Sequence, residues 1–532
     1  MSVKFQKITS SINYFLPFFI LLSGALLRLV FLESVPGGIH QDEAIVAWNA
    51  FAVFNEGMDS AGNHYPIYMA DWGDGHSPLY GWLLTPIYIL TGGHVAPTYL
   101  SRLPQVIVAI LTLWTVYLLM KRLFNSRIGL WSLFLLAICP WHIMMSRWGL
   151  DVNLAPGFLI FSLYFFVKGL EKKGFLLLSA FFYGVSLYSY ALIWPVVPFI
   201  LALQILYCLY HKKLRIDKWS ILASIILIVI ALPLILFVLV NSDIIPEIKL
   251  PFMTIPRMIG YRGSEIASSL PQMWANFRNA LSILWHQNHG APYDILLPWG
   301  LFYDIGRVFM VIGTIALLIR LFSAFRRKIF AGEYFLFAQL AGGALSCVLV
   351  TASPHQINSL YIPLVLSQAY GVWFITDFLL QKKKTLGKII SPLLVTVYLV
   401  YLLLFQIDYY TDYRQIASAY FAEGLEECID FAQEQCAEKN ISVISVEKAA
   451  QWTRLLLYTE TLPSAYLSSV VYDIPPTPAS FDTGGLHINT RINYDALTRE
   501  SIYIFYFTDK SYFEDDFILT RFYDWYVAVP RD

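Results

Sequence analysis

Long apolar stretches alternate with short polar ones along the first 410 residues of the chain. Stretches of about 20 apolar residues match the length that an α-helix needs to cross a bilayer. We therefore predict an α-helical polytopic membrane protein with about 11 transmembrane helices, while residues 78–91 are too short to span. The predicted spans are residues 13–32, 98–120, 128–145, 154–170, a hairpin over 175–210, 219–240, 306–325, 334–350, 361–380 and 389–405.

Basic clusters separate these stretches at every second boundary. Lys4 and Lys7 precede the first stretch, and Lys121-Arg122 follows the second. Cytoplasmic loops of membrane proteins carry an excess of Lys and Arg, so the positive-inside rule predicts a cytoplasmic N-terminus. We expect a multi-pass protein of the plasma or inner membrane, with loops 34–97 and 241–305 on the extracytoplasmic side.

The composition changes after residue 410 to that of a soluble domain. Residues 413–437 have the pattern of an amphipathic helix, and residues 441–446, 502–507 and 526–530 have that of short strands. We predict two domains, a transmembrane domain over 1–410 with an external catalytic loop 34–97, and a small α/β domain over 411–532. The odd number of spans places the second domain outside the cell.

Composition and charge narrow the class of protein. Apolar residues make up 57% of the chain and charged residues 14%, which is too apolar for a soluble protein of this length. The formal net charge is zero, which gives no sign of a nucleic-acid partner. Five cysteines, an odd number, give no disulfide framework.

Acidic, basic and histidine side chains near the spans collect on the predicted outer face. A carboxylate there can take a proton from an acceptor hydroxyl, while cations neutralise a phosphate leaving group. One base with several cations differs from the two carboxylates of a glycoside hydrolase. The candidate site residues are Asp42, Glu43, Asp74, His76, Arg102, Arg147, Asp151 and His355.

Four short motifs carry a resemblance to a known family. They are Asp42-Glu43 after the first span, His76-Ser77-Pro78-Leu79-Tyr80, Arg102-Leu103-Pro104, and Ser146-Arg147-Trp148-Gly149-Leu150-Asp151. In order and sidedness they resemble the polyprenol-phosphate-sugar glycosyltransferases of the GT-C class, and more narrowly the protein mannosyltransferase and aminoarabinose transferase group (family 39-like). The resemblance covers residues 16–170 well and the later spans in layout.

The resemblance implies a role for each of these residues. Asp42 is the catalytic base, and Glu43 beside it positions or substitutes for it. His76 lies near the lipid phosphate, and Arg102 and Arg147 contact that phosphate. Asp74 matches an acidic position just before His76, Asp151 orients an arginine or helps to bind a cation, and the resemblance leaves open whether Asp74 and Asp151 hold a divalent cation. His355 is added to the substrate-binding set because it lies on the same outer face.

The reaction that the resemblance implies is transfer of one sugar from a polyprenyl-phosphate donor to an acceptor hydroxyl. The acceptor is a glycan, lipid or protein, and membrane lipid is the remaining partner. Two departures from the family pattern are Ser77-Pro78 in place of a double proline and the lack of the soluble repeat module of eukaryotic protein mannosyltransferases. The second departure weakens the case for a protein acceptor.

Several plainer interpretations compete with these roles. Asp42 is a favoured residue for capping a helix over 44–54, and Asp151 at i+4 from Arg147 fits a structural ion pair. His286, His289 and Asp294 resemble a metal cluster only loosely. A transporter or lipid flippase is the main alternative function, although its charges are expected near the membrane midplane. A polymerase or ligase of envelope glycans and a non-catalytic receptor are further alternatives.

Overall fold

A computed structural model describes residues 2–531 except residues 262, 264–265, 289–290, 352, 448–450 and 514–515, with side chains described from residue 15 onward. His289, and the side chains of Lys4 and Lys7, therefore lie outside the described part. Up to residue 408 the regular secondary structure is almost entirely helical.

Fifteen helices make up this first part of the described chain. They are α1 (Ser2–Leu29), α2 (Gln41–Glu56), α3 (Leu79–Leu90), α4 (Thr98–Leu123), α5 (Ser126–Ala137), α6 (Pro140–Met145), α7 (Ala155–Gly169), α8 (Phe175–Ser186), α9 (Ile193–Tyr210), α10 (Lys218–Asn241), α11 (Leu270–His286), α12 (Asp304–Arg326), α13 (Glu333–Leu349), α14 (Tyr361–Lys382) and α15 (Lys384–Asp408).

Seven helical segments of the described chain are long and apolar enough to cross a membrane, and five apolar helices are shorter. The short ones include the described part of α1 together with α5, α8 and α13. Helix α3 has 12 residues, the same length as α5 and α8, and its interpretation as a non-spanning helix stays a prediction. Local signals begin several helices, as at Asp217, whose carboxylate accepts hydrogen bonds from the N–H groups of Trp219 and Ser220.

The segment 241–305 has more regular structure than the sequence suggests. It contains an antiparallel pair of strands, β1 (Ile248–Leu250) and β2 (Met253–Ile255), followed by α11. Thr254 of β2 exchanges backbone hydrogen bonds with residues 65 and 67 of the first loop. The two long loops therefore pack against each other.

The C-terminal part forms a mixed seven-stranded sheet in the order β4-β5-β6-β3-β7-β9-β8. Strand β3 pairs in parallel with β6 and β7, and the remaining pairs are antiparallel. The strands are β3 (Val443–Val446), β4 (Val471–Ile474), β5 (Thr477–Thr483), β6 (Leu486–Asn489), β7 (Ser501–Tyr506), β8 (Phe517–Phe522) and β9 (Trp525–Pro530). Three of them, β3, β7 and β9, lie where the sequence predicts strands.

The single amphipathic helix expected over residues 413–437 is broken. Helix α16 (Arg414–Phe421) and helix α17 (Leu425–Lys439) are separated by Ala422 and Gly424, which have φ angles of 50° and 95°. Two further helices, α18 (Trp452–Tyr458) and α19 (Pro463–Ser469), precede β4. The break matters because residues 421–423 lie against the first loop.

The double glycine of the first loop makes that close contact possible. A Cβ atom on Gly37 would lie 2.3 Å from the Glu423 carboxylate, and one on Gly38 would lie 2.3 Å from the carbonyl oxygen of Phe421. Gly38 also has a φ of +75°, which favours glycine. Gly37 and Gly38 are therefore required by the close contact with residues 421–423 as well as by the backbone turn.

All five cysteines are free and buried: Cys139, Cys208, Cys347, Cys428 and Cys436. This agrees with the absence of a disulfide framework in the sequence pattern.

Candidate active site

Helix α2 begins earlier than the sequence suggests. Its N-cap is His40, whose side chain accepts a hydrogen bond from the N–H of Asp42, while the Glu43 carboxylate accepts one from the N–H of His40. This is a capping box in which histidine takes the place of Ser or Thr. Asp42 lies in the first turn and does not cap the helix, so the capping interpretation of Asp42 is wrong.

Glu43 is buried and binds Arg102. The two side chains form a bidentate pair, with Nε to Oε1 at 2.9 Å and an Nη to Oε2 at 3.0 Å. Glu43 Oε1 also accepts a hydrogen bond from the N–H of Gly149 at 2.8 Å. The remaining N–H groups of Arg102 donate to the carbonyl oxygens of Leu32, Pro36 and Gly38. All five N–H donors of the guanidinium are therefore used within the protein.

The Asp42 carboxylate is the accessible member of the acidic pair. Its side chain is 42% exposed, whereas that of Glu43 is 1% exposed. Its Oδ2 lies 3.7 Å from His40 Nδ1, and its charge acts on His355, Arg454 and Tyr293. Asp42 thus interacts electrostatically with groups from several parts of the chain.

Two histidines of opposite electrostatic character flank this carboxylate. Burial and the nearby cations Arg454 and His355 hold the pKa of His40 well below its usual value. Burial by itself would lower the pKa of His355, but Asp294 at 3.0 Å, assisted by Asp42 and Asp151, raises it above the usual value. The site therefore contains a neutral imidazole beside an imidazole that favours the protonated form.

Aromatic rings surround the two histidines. The indole ring of Trp148 lies 5.1 Å from the ring of His40, 5.4 Å from that of Tyr293 and 6.0 Å from that of His355, centroid to centroid. Phe421 of the C-terminal part completes this wall at 5.5 Å from His40. The buried indole N–H of Trp148 has no hydrogen-bond acceptor among the described residues.

Arg147 stabilises the end of the first helix. Its guanidinium donates to the carbonyl oxygens of Arg28, Val30, Phe31 and Val35, at the C-terminus of α1 and in the turns that follow. A cation at a helix C-terminus is favourable both by dipole and by hydrogen bonding. Arg147 and Asp151 therefore do not form the ion pair that their spacing suggests.

Asp151 lies next to the start of the second motif, His76-Ser77-Pro78-Leu79-Tyr80. Its carboxylate accepts hydrogen bonds from the N–H of Ser77 at 3.1 Å and from its neighbour Val152 at 2.7 Å. His76 lies next to this contact, with Nε2 2.9 Å from the amide nitrogen of Asn49 and Nδ1 3.2 Å from the carbonyl oxygen of Ser77. The structure thus brings Asp151, His76 and the Ser77 turn together.

Asp74 lines a neighbouring cavity. This cavity has a volume of about 110 Å³ and a largely aromatic wall that includes Tyr68, Trp194 and Tyr261, and it is also lined by Gln356, the residue after His355. No group of three or more His, Cys, Asp or Glu side chains suited to a metal ion occurs in the part of the chain that the structure describes. The geometry therefore adds no support for a cation site at Asp74 and Asp151.

Several residues that sequence reasoning missed are in the site. Arg454 of α18 is 3% exposed and donates to the carbonyl oxygens of Ile39 and Tyr420, both at 2.7 Å. Asp294 holds His355, and Trp148 fills the space between the histidines. Trp148 belongs to the motif that runs from Ser146 to Asp151, and Asp294 lies close to His286 in the sequence. Nothing in the sequence connects Arg454 with Asp42.

Comparison with known proteins agrees with the resemblance. Residues 75–237 match the family model described as dolichyl-phosphate-mannose-protein mannosyltransferase. The crystal structure of ArnT from Cupriavidus metallidurans in the apo state aligns over 96% of this chain and 97% of that chain, with a TM-score of 0.53 and 12% sequence identity. The structure of the same protein bound to undecaprenyl phosphate aligns with the same values. No curated protein matches the chain.

These matches confirm the resemblance to GT-C class glycosyltransferases and the fold class. The chain is a mostly helical, multi-pass membrane protein with an ArnT-like fold and a C-terminal β-sheet domain. The number of 11 spans stays a prediction, as do the roles of the individual site residues. At 12% identity the structural match shows the fold, and the reaction depends on the residues of the site.

Proposed function

We propose that this protein is a membrane glycosyltransferase that transfers a sugar from a polyprenyl-phosphate donor to an acceptor hydroxyl on the extracytoplasmic side. The observation that carries the proposal is the unequal environment of the two adjacent acids. Asp42 is 42% exposed and lies near His40, whose pKa is lowered by burial, and near His355, whose pKa is raised by Asp294, while Glu43 is buried and paired with Arg102. The fold match to a protein whose structure contains undecaprenyl phosphate supports the donor class.

In the proposed reaction the Asp42 carboxylate takes the proton of the acceptor hydroxyl as the oxygen attacks the anomeric carbon. The bond from that carbon to the phosphate oxygen breaks, and the lipid phosphate leaves as an anion. A direct displacement of this kind inverts the configuration at the anomeric carbon. His40 beside Asp42 does not compete with Asp42 for the proton of the acceptor hydroxyl, because the pKa of His40 is held low.

For the leaving phosphate we propose His355 as the contacting cation. Its side chain is 26% exposed, and Asp294 favours its protonated form, so it can donate to a phosphate oxygen. The Trp148 indole N–H is a second donor in the same wall. The ring nitrogens of both histidines have partners within the protein, which for His355 are Asp294 and Ser353 and for His76 are Asn49 and the carbonyl oxygen of Ser77. Contact by His76 stays a prediction of the resemblance.

For Arg102 and Arg147 we propose a positioning role. Both guanidinium groups are fully buried and bind carbonyl oxygens of residues 28–38, on either side of the turn that leads to His40. Direct contact with phosphate would require these bonds to break. For Asp74 we propose contact with the sugar, since an acid among aromatic rings suits hydroxyl groups on a ring with apolar faces.

The experiment compares Asp42→Asn with Glu43→Gln in membranes supplied with a labelled lipid-phosphate sugar. Removing a general base lowers rates by about 10²–10⁴-fold, so Asp42→Asn should lose transfer while keeping the thermal stability of the native protein. Glu43→Gln leaves Arg102 buried without its counter-charge, and we expect a loss of about 3–5 kcal/mol in stability as well as in activity. Full transfer by Asp42→Asn would exclude the base assignment.

The main alternative is a transporter or flippase for the same class of lipid. Its test is movement of a labelled polyprenyl-phosphate sugar across proteoliposomes without cleavage of the sugar–phosphate bond. Transfer of the label to an acceptor hydroxyl, lost in Asp42→Asn, favours the transferase.

A further inference from the structure

A second cavity with a distinct composition lies at the opposite end of α7 from Asp151. We call it the basic pocket; it has a volume of about 190 Å³ and is lined by Lys173, Lys212, Lys213 and Arg215 together with one acid, Asp217. The cations come from two loops, one between α7 and α8 and the other between α9 and α10. The positive-inside rule accounts for basic residues in each of these loops, but it does not require the two loops to place them around one cavity.

The basic pocket continues into an apolar cleft. This cleft has a volume of about 450 Å³, lies between α7, α8, α9 and α10, and shares Leu176, Leu214 and Arg215 with the basic pocket. Its other lining residues are mainly aliphatic, with Ser220 and Ser224 on the α10 side. A charged mouth above an apolar channel between membrane helices is amphipathic in the same sense as a phospholipid.

The charges in the mouth favour an anion. Lys173 forms an ion pair with Asp217, whose carboxylate also caps α10. No described ion pair joins Lys212, Lys213 or Arg215 to a carboxylate, and all three side chains are exposed at the mouth. Next to them Ile216, which lines the apolar cleft, is 83% exposed.

We propose that the basic pocket and the apolar cleft together bind one anionic phospholipid of the adjacent leaflet. The phosphate lies among Lys212, Lys213 and Arg215, and an acyl chain occupies the cleft. Basic pockets between membrane helices bind anionic headgroups by this combination of charge and apolar contact. The site lies at the face opposite to the candidate active site, so its occupant is separate from the sugar donor.

Native mass spectrometry of the purified full-length protein in mild detergent tests the proposal. Titration with phosphatidylglycerol should give one retained lipid at lower concentration than phosphatidylcholine with the same acyl chains. Each cation near a headgroup phosphate contributes about fivefold in affinity, so Lys212→Gln with Arg215→Gln should weaken phosphatidylglycerol binding by about 25-fold and leave phosphatidylcholine unchanged. Lys382→Gln with Lys383→Gln, at the end of α14 and outside both cavities, is the matched control.

A second variant tests the cleft and separates a lipid from a free anion. Ser224 lines the cleft and its side chain is exposed. The variant Ser224→Trp should therefore fill the cleft without creating steric clashes in the protein core. It should weaken binding of phosphatidylglycerol. Equal retention of both lipids by the native protein would overturn the proposal, and so would displacement of phosphatidylglycerol by equimolar inorganic phosphate together with no effect of Ser224→Trp.

Discussion

Two residues in direct succession, Asp42 and Glu43, have opposite surroundings, and this difference is decided by groups far away in the chain. Arg102 and the N–H of Gly149 bind Glu43. The sequence places both acids on the outer face and identifies the pair, but it offers no basis for choosing which acid is buried. That choice depends on the register of α2, which begins at Gln41 with His40 as its N-cap.

His355 gives the site a pH dependence. Its pKa in the folded protein is raised above the unfolded value of about 6.5. A group with a raised folded pKa stabilises the fold fully below the unfolded pKa and loses that contribution as the pH rises through the folded pKa. If the protonated ring contacts phosphate, transfer also declines as the pH rises through the folded pKa of His355.

Asp294→Asn should move the alkaline decline of transfer to lower pH, because Asp294 is the largest of the acidic groups that raise the pKa of His355. The measurement is the pH profile of transfer between about pH 5 and 9. Glu460→Gln is the matched control, since Glu460 pairs with His94, an exposed histidine with a raised pKa that lies away from the proposed catalytic groups. An unchanged profile in Asp294→Asn would contradict the role of His355.

At the scale of elements, the periodicity of the chain predicts helices well and their breaks poorly. Apolar stretches locate the membrane helices, and β-branched runs locate β3, β7 and β9. The break between α16 and α17 is not visible in the pattern, because both halves share one amphipathic stretch. Its cause is tertiary, since the turn at residues 421–423 fits against the double glycine of the first loop.

Gly38→Ala should therefore impair the site more than glycine replacement does elsewhere. An added methyl group meets the carbonyl oxygen of Phe421 at 2.3 Å, in addition to the cost of a positive φ. Gly92→Ala is the control, because Gly92 has a φ of +69° and nothing within 4 Å of the added atom. We expect Gly92→Ala to cost roughly 1–2 kcal/mol in unfolding free energy, and Gly38→Ala to cost more and to lower transfer. Equal effects would show that the contact is unimportant.

At the scale of the whole molecule, the C-terminal part is joined to the membrane part through the first loop. Arg454 binds the carbonyl oxygen of Ile39, and the Trp48 indole donates to the carbonyl oxygen of Thr461 at 2.8 Å. The sequence predicts a transmembrane domain over residues 1–410 and a soluble domain over residues 411–532 on its extracytoplasmic side. It contains no signal for these contacts, because they join residues more than 400 positions apart.

Arg454→Gln should lower transfer without removing any group proposed to touch substrate. The shorter side chain no longer holds the loop that carries His40 and Asp42. We therefore expect a lower kcat with little change in KM. Arg499→Gln removes an exposed pair with Asp516 in the same domain and should change neither rate nor stability. Transfer and thermal unfolding measured on both variants distinguish a local effect from domain unfolding.

The burial of every native thiol makes the wild-type chain a low-background template for mapping which face meets which compartment. With the five cysteines shielded from reagent, a single new cysteine reports its own location without prior removal of the others. An impermeant maleimide should label Glu500→Cys in the C-terminal domain of intact cells, and Lys383→Cys after α14 only once the membrane is permeabilised. The reverse pattern would invert the proposed orientation, and with it the side on which sugar is transferred.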